Sequence, residues 1–391
     1  MITRSLAILI ALLLGASDGL AQGTLAQADP ARSMSTLSAA TAEEWLALDC
    51  GSYHILGIRS DGSLWGWGAN AFGELGDGSD LRGQTPVHVL PGTQWRDVMC
   101  GADFTVAIRN DGTLWGWGCN AAGQLGNGTT GVQHLPVQIG RNKGWRALGG
   151  GSLHVLAIRE DGTLWAWGDN SFGQLGDGSQ IPSLVPMQIG RARDWRTVSK
   201  GLGYHSVAIR DDGSLWTWGD NRSGQLGDGS TSMRTAPHAV GHCRDWVLVS
   251  SGRYHTMAAR RNGTVWAWGE NAQGQLGDGS QENQSYPTPI ADDASWRDID
   301  CGVNFSIGIK SDGSLWAWGC NAHGQFGDRR VPGSATPVRV GTDADWRDIA
   351  AGHDMTAGIR MPSSATSPAP SPIHVVQTIM PPMWLLPRDS P

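Results

Sequence analysis

The chain has 391 residues, 17% of them charged, with a formal charge of −7, a length that suits one large repeat domain or two ordinary ones. It carries no basic run, which disfavours a nucleic-acid partner, because phosphate binding needs clustered Lys and Arg. Six Cys fit an oxidising compartment but are too sparse for a disulfide scaffold, and none shows Cys-x-x-Cys metal spacing.

The first predicted element is a leader. Arg4 precedes an apolar run from Leu6 to Leu14, and Gly19-Leu20-Ala21 supplies a small-x-small site before Gln22. Residues 1–21 read as a secretory signal peptide, whose apolar part is too short to span a bilayer comfortably. No Cys follows the cleavage site and no other stretch approaches transmembrane length. The expected location is periplasmic or extracellular, with no transmembrane segment after cleavage. Residues 22–44 form a polar, Ala-rich N-terminal segment. Within it, Thr36-Leu37 stands nine residues before Trp45 and is a possible closing strand.

From residue 45 to 360 the chain repeats itself. Asp-Gly-Ser-Leu-Trp-Gly-Trp-Gly at Asp61 to Gly68 returns at Asp111, Asp161, Asp212, Asn262 and Asp312, in steps of 50, 50, 51, 50 and 50 residues. A fixed period of this size means stacked repeats. Each unit opens with a Trp: Trp45, Trp95, Trp145, Trp195, Trp246, Trp296 and Trp346. Strand A follows that Trp and stops at a Gly. Strand B is the apolar run before Asp-Gly, which is expected to make a type I′ hairpin turn. Strand C holds the paired Trp, whose spacing points both to one face. Burying one indole is worth roughly 4–6 kcal/mol as an upper bound, so the paired Trp are read as core that joins neighbouring sheets. A long loop, Asn-x-x-Gly-Gln-Leu-Gly-Asp-Gly-Ser, leads to strand D. D carries a Pro nine residues before the next Trp, which marks it as the outer edge.

Four-stranded antiparallel sheets repeated about an axis make a β-propeller. The predicted fold is all-β, a seven-bladed propeller of four-stranded antiparallel blades, the seventh incomplete in sequence because only its A and B strands follow Trp346. Residues 361–391 are a Pro-rich tail, in which Ile373 to Ile379 could substitute as a strand. Cys100 and Cys119, and Cys301 and Cys320, sit 19 apart at matching repeat positions. They are either small buried thiols or two equivalent disulfides.

The pattern Gly-x-x-His-x-x-Ala-Ile, then Asp-Gly-x-Leu-Trp-x-Trp-Gly-x-Asn-x-x-Gly-Gln-Leu-Gly, resembles the regulator of chromosome condensation repeat over Trp45 to about Ile359. With its leader, the chain looks like a bacterial secreted member. The resemblance implies a seven-bladed propeller but not one activity, since the family includes nucleotide exchange factors, plant ultraviolet receptors and a secreted inhibitor of β-lactamases. A leader contradicts nuclear exchange. The plant receptor's rim Trp have no counterpart here, which disfavours light sensing.

No nucleophile elbow, zinc-protease helix or phosphate loop occurs. No catalytic residue, cofactor or metal site is assigned, and the chain is not expected to be an enzyme. His54, His154, His205 and His255 share a slot with Phe104, Phe305 and Met355, which reads as packing. The Asp-Gly-Ser loops at Asp77, Asp177, Asp228 and Asp278 lack a calcium ligand ladder and read as turns. The units differ most in the A–B and C–D loops, which share one face. Candidate partner-binding residues there are Tyr53, Phe72, Asp103, Phe172, Tyr204, Arg222, Arg253, Tyr254, His323 and Asp354, rich in the types that anchor protein interfaces. The expected function is a secreted or periplasmic, monomeric propeller that binds a protein partner through this face. The alternatives are an inhibitor of a secreted enzyme, or a surface lectin or enzyme using the axial mouth.

Overall fold

A computed structural model describes residues 35–37, 44–290, 295–361 and 373–376. Among them, no helix is long and apolar enough to cross a membrane. The chain folds into successive four-stranded antiparallel sheets. Blade 1 is Trp45–Cys50, His54–Arg59, Leu64–Gly68 and Gly83–Val89 as strands A to D. Blades 2 to 6 repeat this order, opening at Trp95, Trp145, Trp195, Trp246 and Trp296. Strand A of each blade meets strands A and B of its neighbours, so A lines the axis and D lies outermost. Each Pro of strand D is thus on an edge, where its missing N–H costs no ladder bond.

Six blades are complete and the seventh is partial. Blade 7 has Trp346–Ala351 and Thr356–Arg360 as its inner pair, with no Asp-Gly turn or C–D loop among the described residues. Its outer positions are taken by the backbones of Ile373–Val376 and then Ser35–Leu37, both antiparallel.

The core lies between blades. In the layer between blades 2 and 3, Val106, Ile108, Leu114 and Leu125 of one sheet meet Trp145, Leu148, Val155 and Trp167 of the next. The second Trp of each pair is fully buried, as at Trp117, Trp167 and Trp218. The first is only half-buried, so the area argument overstates its share. Its face is covered by a cation from the last residue of strand B. Arg59 lies 4.6 Å from the ring of Trp45 and 4.3 Å from that of Trp65, and Arg109, Arg159, Arg210, Arg260 and Lys310 repeat this arrangement. Such contacts contribute about 0.5–2 kcal/mol each.

Two local expectations are corrected. The B–C turn is not type I′, because Gly62 has φ 81° whereas Asp61 is not in the left-handed region. Gly62 N donates to Arg59 O and Arg59 N to Ser63 O, the pattern of a three-residue loop closed by a left-handed Gly. Asp61 fixes it by accepting Ser63 N at 2.8 Å. The six Cys are all free thiols. Cys100 and Cys119, like Cys301 and Cys320, close strands A and C, which strand B holds two spacings apart, about 9–10 Å. Bridged Cα atoms lie no more than ~7 Å apart.

The C–D loops join blade to blade. Asn170, fully buried, donates to Asp177 Oδ1, Ser179 O and Oγ, and Ile181 O, and accepts Leu175 N. Gly126 then passes directly over the next blade's core indole. A Cβ there would sit 2.6 Å from Trp167 Nε1, and its φ is 66°, so only Gly serves.

Candidate functional site

The loop face is held by a repeated polar joint. Trp117, Trp167, Trp218 and Trp268 each donate the indole N–H to a main-chain carbonyl of the preceding blade's C–D loop, at Glu74, Gln124, Gln174 and Gln225. At three of these, a hydroxyl one residue after the His/Phe slot shares the carbonyl: Thr105, Ser206 and Thr256. The preceding blade's His Nε2 meets the same hydroxyl, as in His205 to Thr256 at 2.8 Å and His154 to Ser206 at 2.9 Å. Since the hydroxyl hydrogen points to the carbonyl, Nε2 carries the proton and donates.

Burial pushes His54 and His205 down to about 4, and His154 and His255 to about 3. These histidines are neutral inter-blade fasteners, not acid–base groups. The packing reading was incomplete. A signal was present: His54, His154, His205 and His255 each have Thr or Ser at the next position of the following unit, at Thr105, Ser206, Thr256 and Ser306, whereas Phe104 and Met355 have Val155 and Ile55 there, and only Phe305, with Thr356, departs from the pairing.

Above this joint, the candidate partner residues fall into two groups. Phe172 and Tyr204 pack with ring centroids 5.6 Å apart. Arg222 lies 4.8 Å from the Phe172 ring and 5.5 Å from that of Tyr254, and Arg253 also lies over Tyr254 at 5.3 Å. Five candidates from blades 3, 4 and 5 therefore form one cluster. Asp220, almost fully buried, fixes Arg222 through Oδ1 and Oδ2 at 3.1 Å each, and this hydrogen bond raises Arg222 further. Arg222 itself stays exposed.

The second group spans blades 7, 1 and 2. Tyr53 stacks near His353 at 5.3 Å, and His353 Nδ1 meets Asp354 Oδ2 at 2.8 Å. Burial pushes Tyr53 up to about 12, with Asp354 and Asp103 adding to it. Burial also raises Asp103, while His353 opposes this. Phe72 and His323 are exposed on their C–D loops, apart from the blade 3–5 cluster.

The axial channel has a different chemistry. Asp97, Asp298 and Asp348, with Asp49 and Asp300, project from the A strands. Several accept main-chain N–H groups of a neighbouring A strand: Asp348 from Leu48 at 3.0 Å, Asp49 from Cys100 at 2.5 Å, Asp97 from Leu148 at 2.9 Å and Asp300 from Ala351 at 2.7 Å. The innermost edge of each sheet has no partner strand within that sheet, and these carboxylates supply acceptors, joined in blades 3 to 5 by main-chain bonds from Gly150 N to Ser199 O and from Ser251 N to Lys200 O. Lys200 crosses from blade 4 to blade 2, reaching Asp97 Oδ1 at 3.1 Å and Val98 O at 2.6 Å. Burial works against its charge, but Asp97 and Asp49 hold the ammonium above its ordinary range. Burial pushes Asp49 and Asp298 up to about 7 and Asp300 to about 6. Among the described residues no group of three or more His, Cys, Asp or Glu could hold a metal ion.

A repeated four-stranded blade with variable loops on one face defines a β-propeller. The chain belongs to the RCC1-like domain family, which matches residues 12–358. Human protein RCC2 is 41% identical over 54 residues, 14% of this chain and 10% of that protein, so the chain matches about a tenth of that relative's length. Human WBSCR16 superposes with a TM-score of 0.73 at 22% identity, over 82% of this chain and 88% of its own. A chain in the structure of Kap60 bound to yeast RCC1 (Prp20) gives 0.72 at 20% identity over 81% of each. Prp20p from Saccharomyces cerevisiae, described with its binding to Gsp1p and histones, gives 0.71 at 19% identity, over 81% of this chain and 83% of its own. At these identities the likeness shows the fold.

Proposed function

We propose that this chain is an exported, monomeric protein-binding propeller. The leader of residues 1–21 is removed, residues 45–360 carry the repeats, and residues 22–44 and 361–391 supply the strands that close a seven-bladed ring. The partner docks on the A–B and C–D loop face, and the protein binds without catalysing. The observation that carries this reading is the cluster of Phe172, Tyr204, Arg222, Arg253 and Tyr254. Three blades converge there, on a rigid scaffold, with the residue types that dominate interface energies. Asp220 pre-orders Arg222, which lowers the entropy lost on docking. The partners named for yeast RCC1, Kap60, Gsp1p and histones, are also proteins.

The test uses immobilised mature protein with extracts of the native compartment and medium. Wild type is compared with Arg222→Ala plus Tyr254→Ala, and with Arg193→Ala plus Arg244→Ala on the opposite, hairpin face. A partner retained by the hairpin variant and weakened at least about 30-fold by the rim variant supports the reading, since hot-spot truncations cost about 2 kcal/mol or more. Equal retention by both variants rejects it.

A further inference from the structure

One position on the loop face breaks the repeat chemically. Gln124, Gln174, Gln225, Gln275 and Gln325 share a place in the C–D loop, and blade 1 has Glu74 there. Each of these Gln accepts the main-chain N–H two residues earlier through Oε1. Glu74 keeps that bond, with Phe72 N donating to Oε2 at 2.8 Å. Where the next blade carries an Asp at the adjoining position, the Gln amide reaches across the junction, as Gln325 Nε2 does to Asp354 Oδ1 at 3.2 Å, whereas Gln174 and Gln275 donate within their own blades, to Asp169 and Glu270. Asp103 occupies the place of Asp354 in blade 2, so the repeat puts a second carboxyl group at the acceptor position of this junction. Glu74 is only 1% exposed. A buried carboxyl group and a half-buried one in this relation share a proton or repel.

We propose that Glu74 and Asp103 form a proton-sharing carboxyl pair that locks the blade 1 C–D loop to blade 2 and releases it as the pH rises. This concerns regulation of the partner face and so rests on that reading for its purpose, though not for its chemistry. In the closed state the Glu74 hydroxyl donates to the Asp103 carboxylate, reproducing the Gln325–Asp354 bond. Loss of the proton leaves two facing anions, and the loop bearing exposed Phe72 is the part free to yield. Burial pushes Glu74 up to about 7, and the charge of Asp103 adds to this.

The neighbouring groups act in both directions. His134 favours the ionised Glu74, and His353 favours the ionised Asp103. Cys119 is a thiol neighbour raised by burial, Asp103 and Glu74, and Tyr53 a phenol neighbour raised by burial, Asp354 and Asp103. His54 touches the corner through Thr105 and stays neutral down to about 4.

The test is hydrogen exchange of the amides of residues 72–76 in the full chain, corrected for intrinsic rates, from mildly acid to mildly basic pH. Wild type is expected to lose protection about tenfold per pH unit above the transition, as one released proton requires. Glu74→Gln installs the residue of the other repeats and is expected to abolish the step while keeping protection high. Asp103→Asn, which gives ionised Glu74 a donor, is expected to abolish it as well. A flat wild-type profile, or a step that persists in Glu74→Gln, overturns the proposal. The readout involves no partner, so failure of the docking test leaves it standing.

Discussion

At the scale of single residues, the buried histidines and channel carboxylates pull stability in opposite directions with pH. The histidines have folded values near 3 to 4, below the unfolded value of about 6.5. They are neutral in the fold, so their contribution is present above about 6.5 and is lost as the pH falls towards 4, by about 3 kcal/mol for His205. Asp49, Asp298 and Asp300 have folded values raised to about 7, 7 and 6. Their contribution is present below about 4 and is lost as the pH rises through 6 to 7. The two sets offset, and melting temperature is expected to change little between about pH 4.5 and about pH 6.5. His205→Phe, a swap this chain already uses at 104 and 305, removes one histidine slope, so its melting temperature should rise on acidification. Asp300→Asn should do the reverse. Thermal melts across this range check both; parallel curves for all three proteins would show that these groups do not set the pH response.

At the scale of elements, the C–D loop is a rigid connector between blades. Asn170→Ala removes an amide that reaches five polar atoms at a fully buried site. The expected loss is about 2–4 kcal/mol by denaturant titration, with exchange protection lost first over residues 170–181. Asp177→Ala, on the exposed side of the same loop, should cost about 1 kcal/mol. Equal effects would refute this role of Asn170. Strand order was readable because period-two apolar runs, paired Trp and edge Pro each bear on local geometry. The turn type was misread because Asp-Gly fits two hairpins, and only the length of the loop between Ile58 and Leu64 separates them. The Arg–Trp sandwich depends on contacts between chain positions 6 and 14 apart, and the His–hydroxyl joint on positions about 51 apart. They emerge only when successive units are laid side by side. The convergence of Phe172, Tyr204, Arg222, Arg253 and Tyr254 needed blade geometry, since three units contribute to it.

At the scale of the whole molecule, blade 7 is where the repeat logic lapses. Among the described residues it offers no C–D loop carbonyl of the kind other blades present, and the indole N–H of Trp67, like that of Trp318, finds no acceptor there. Removing residues 361–391 takes away the strand beside Thr356–Arg360, and removing residues 22–40 takes away the strand beyond it. Each deletion is expected to lower the melting temperature by on the order of 5 °C or more, the tail deletion more, because the outer strand loses its template with it. An unchanged melting temperature after the tail deletion would show that the seam contributes nothing to stability.

The pairing of Ser35–Leu37 with Ile373–Val376 also fixes how the protein responds to force. Ser35 is opposite Val375 and Leu37 opposite Ile373, so the outward-leading ends of both strands lie at the same end of the pair. Tension applied through residues before Ser35 and after Val376 therefore pulls across the strands and loads their hydrogen bonds one at a time. Such a pair peels like a zipper instead of resisting in shear. In a pulling experiment through those two attachment points, the outer strands should part at low force as a distinct first event. The six complete blades, each closed within its own stretch of chain, should give way only afterwards.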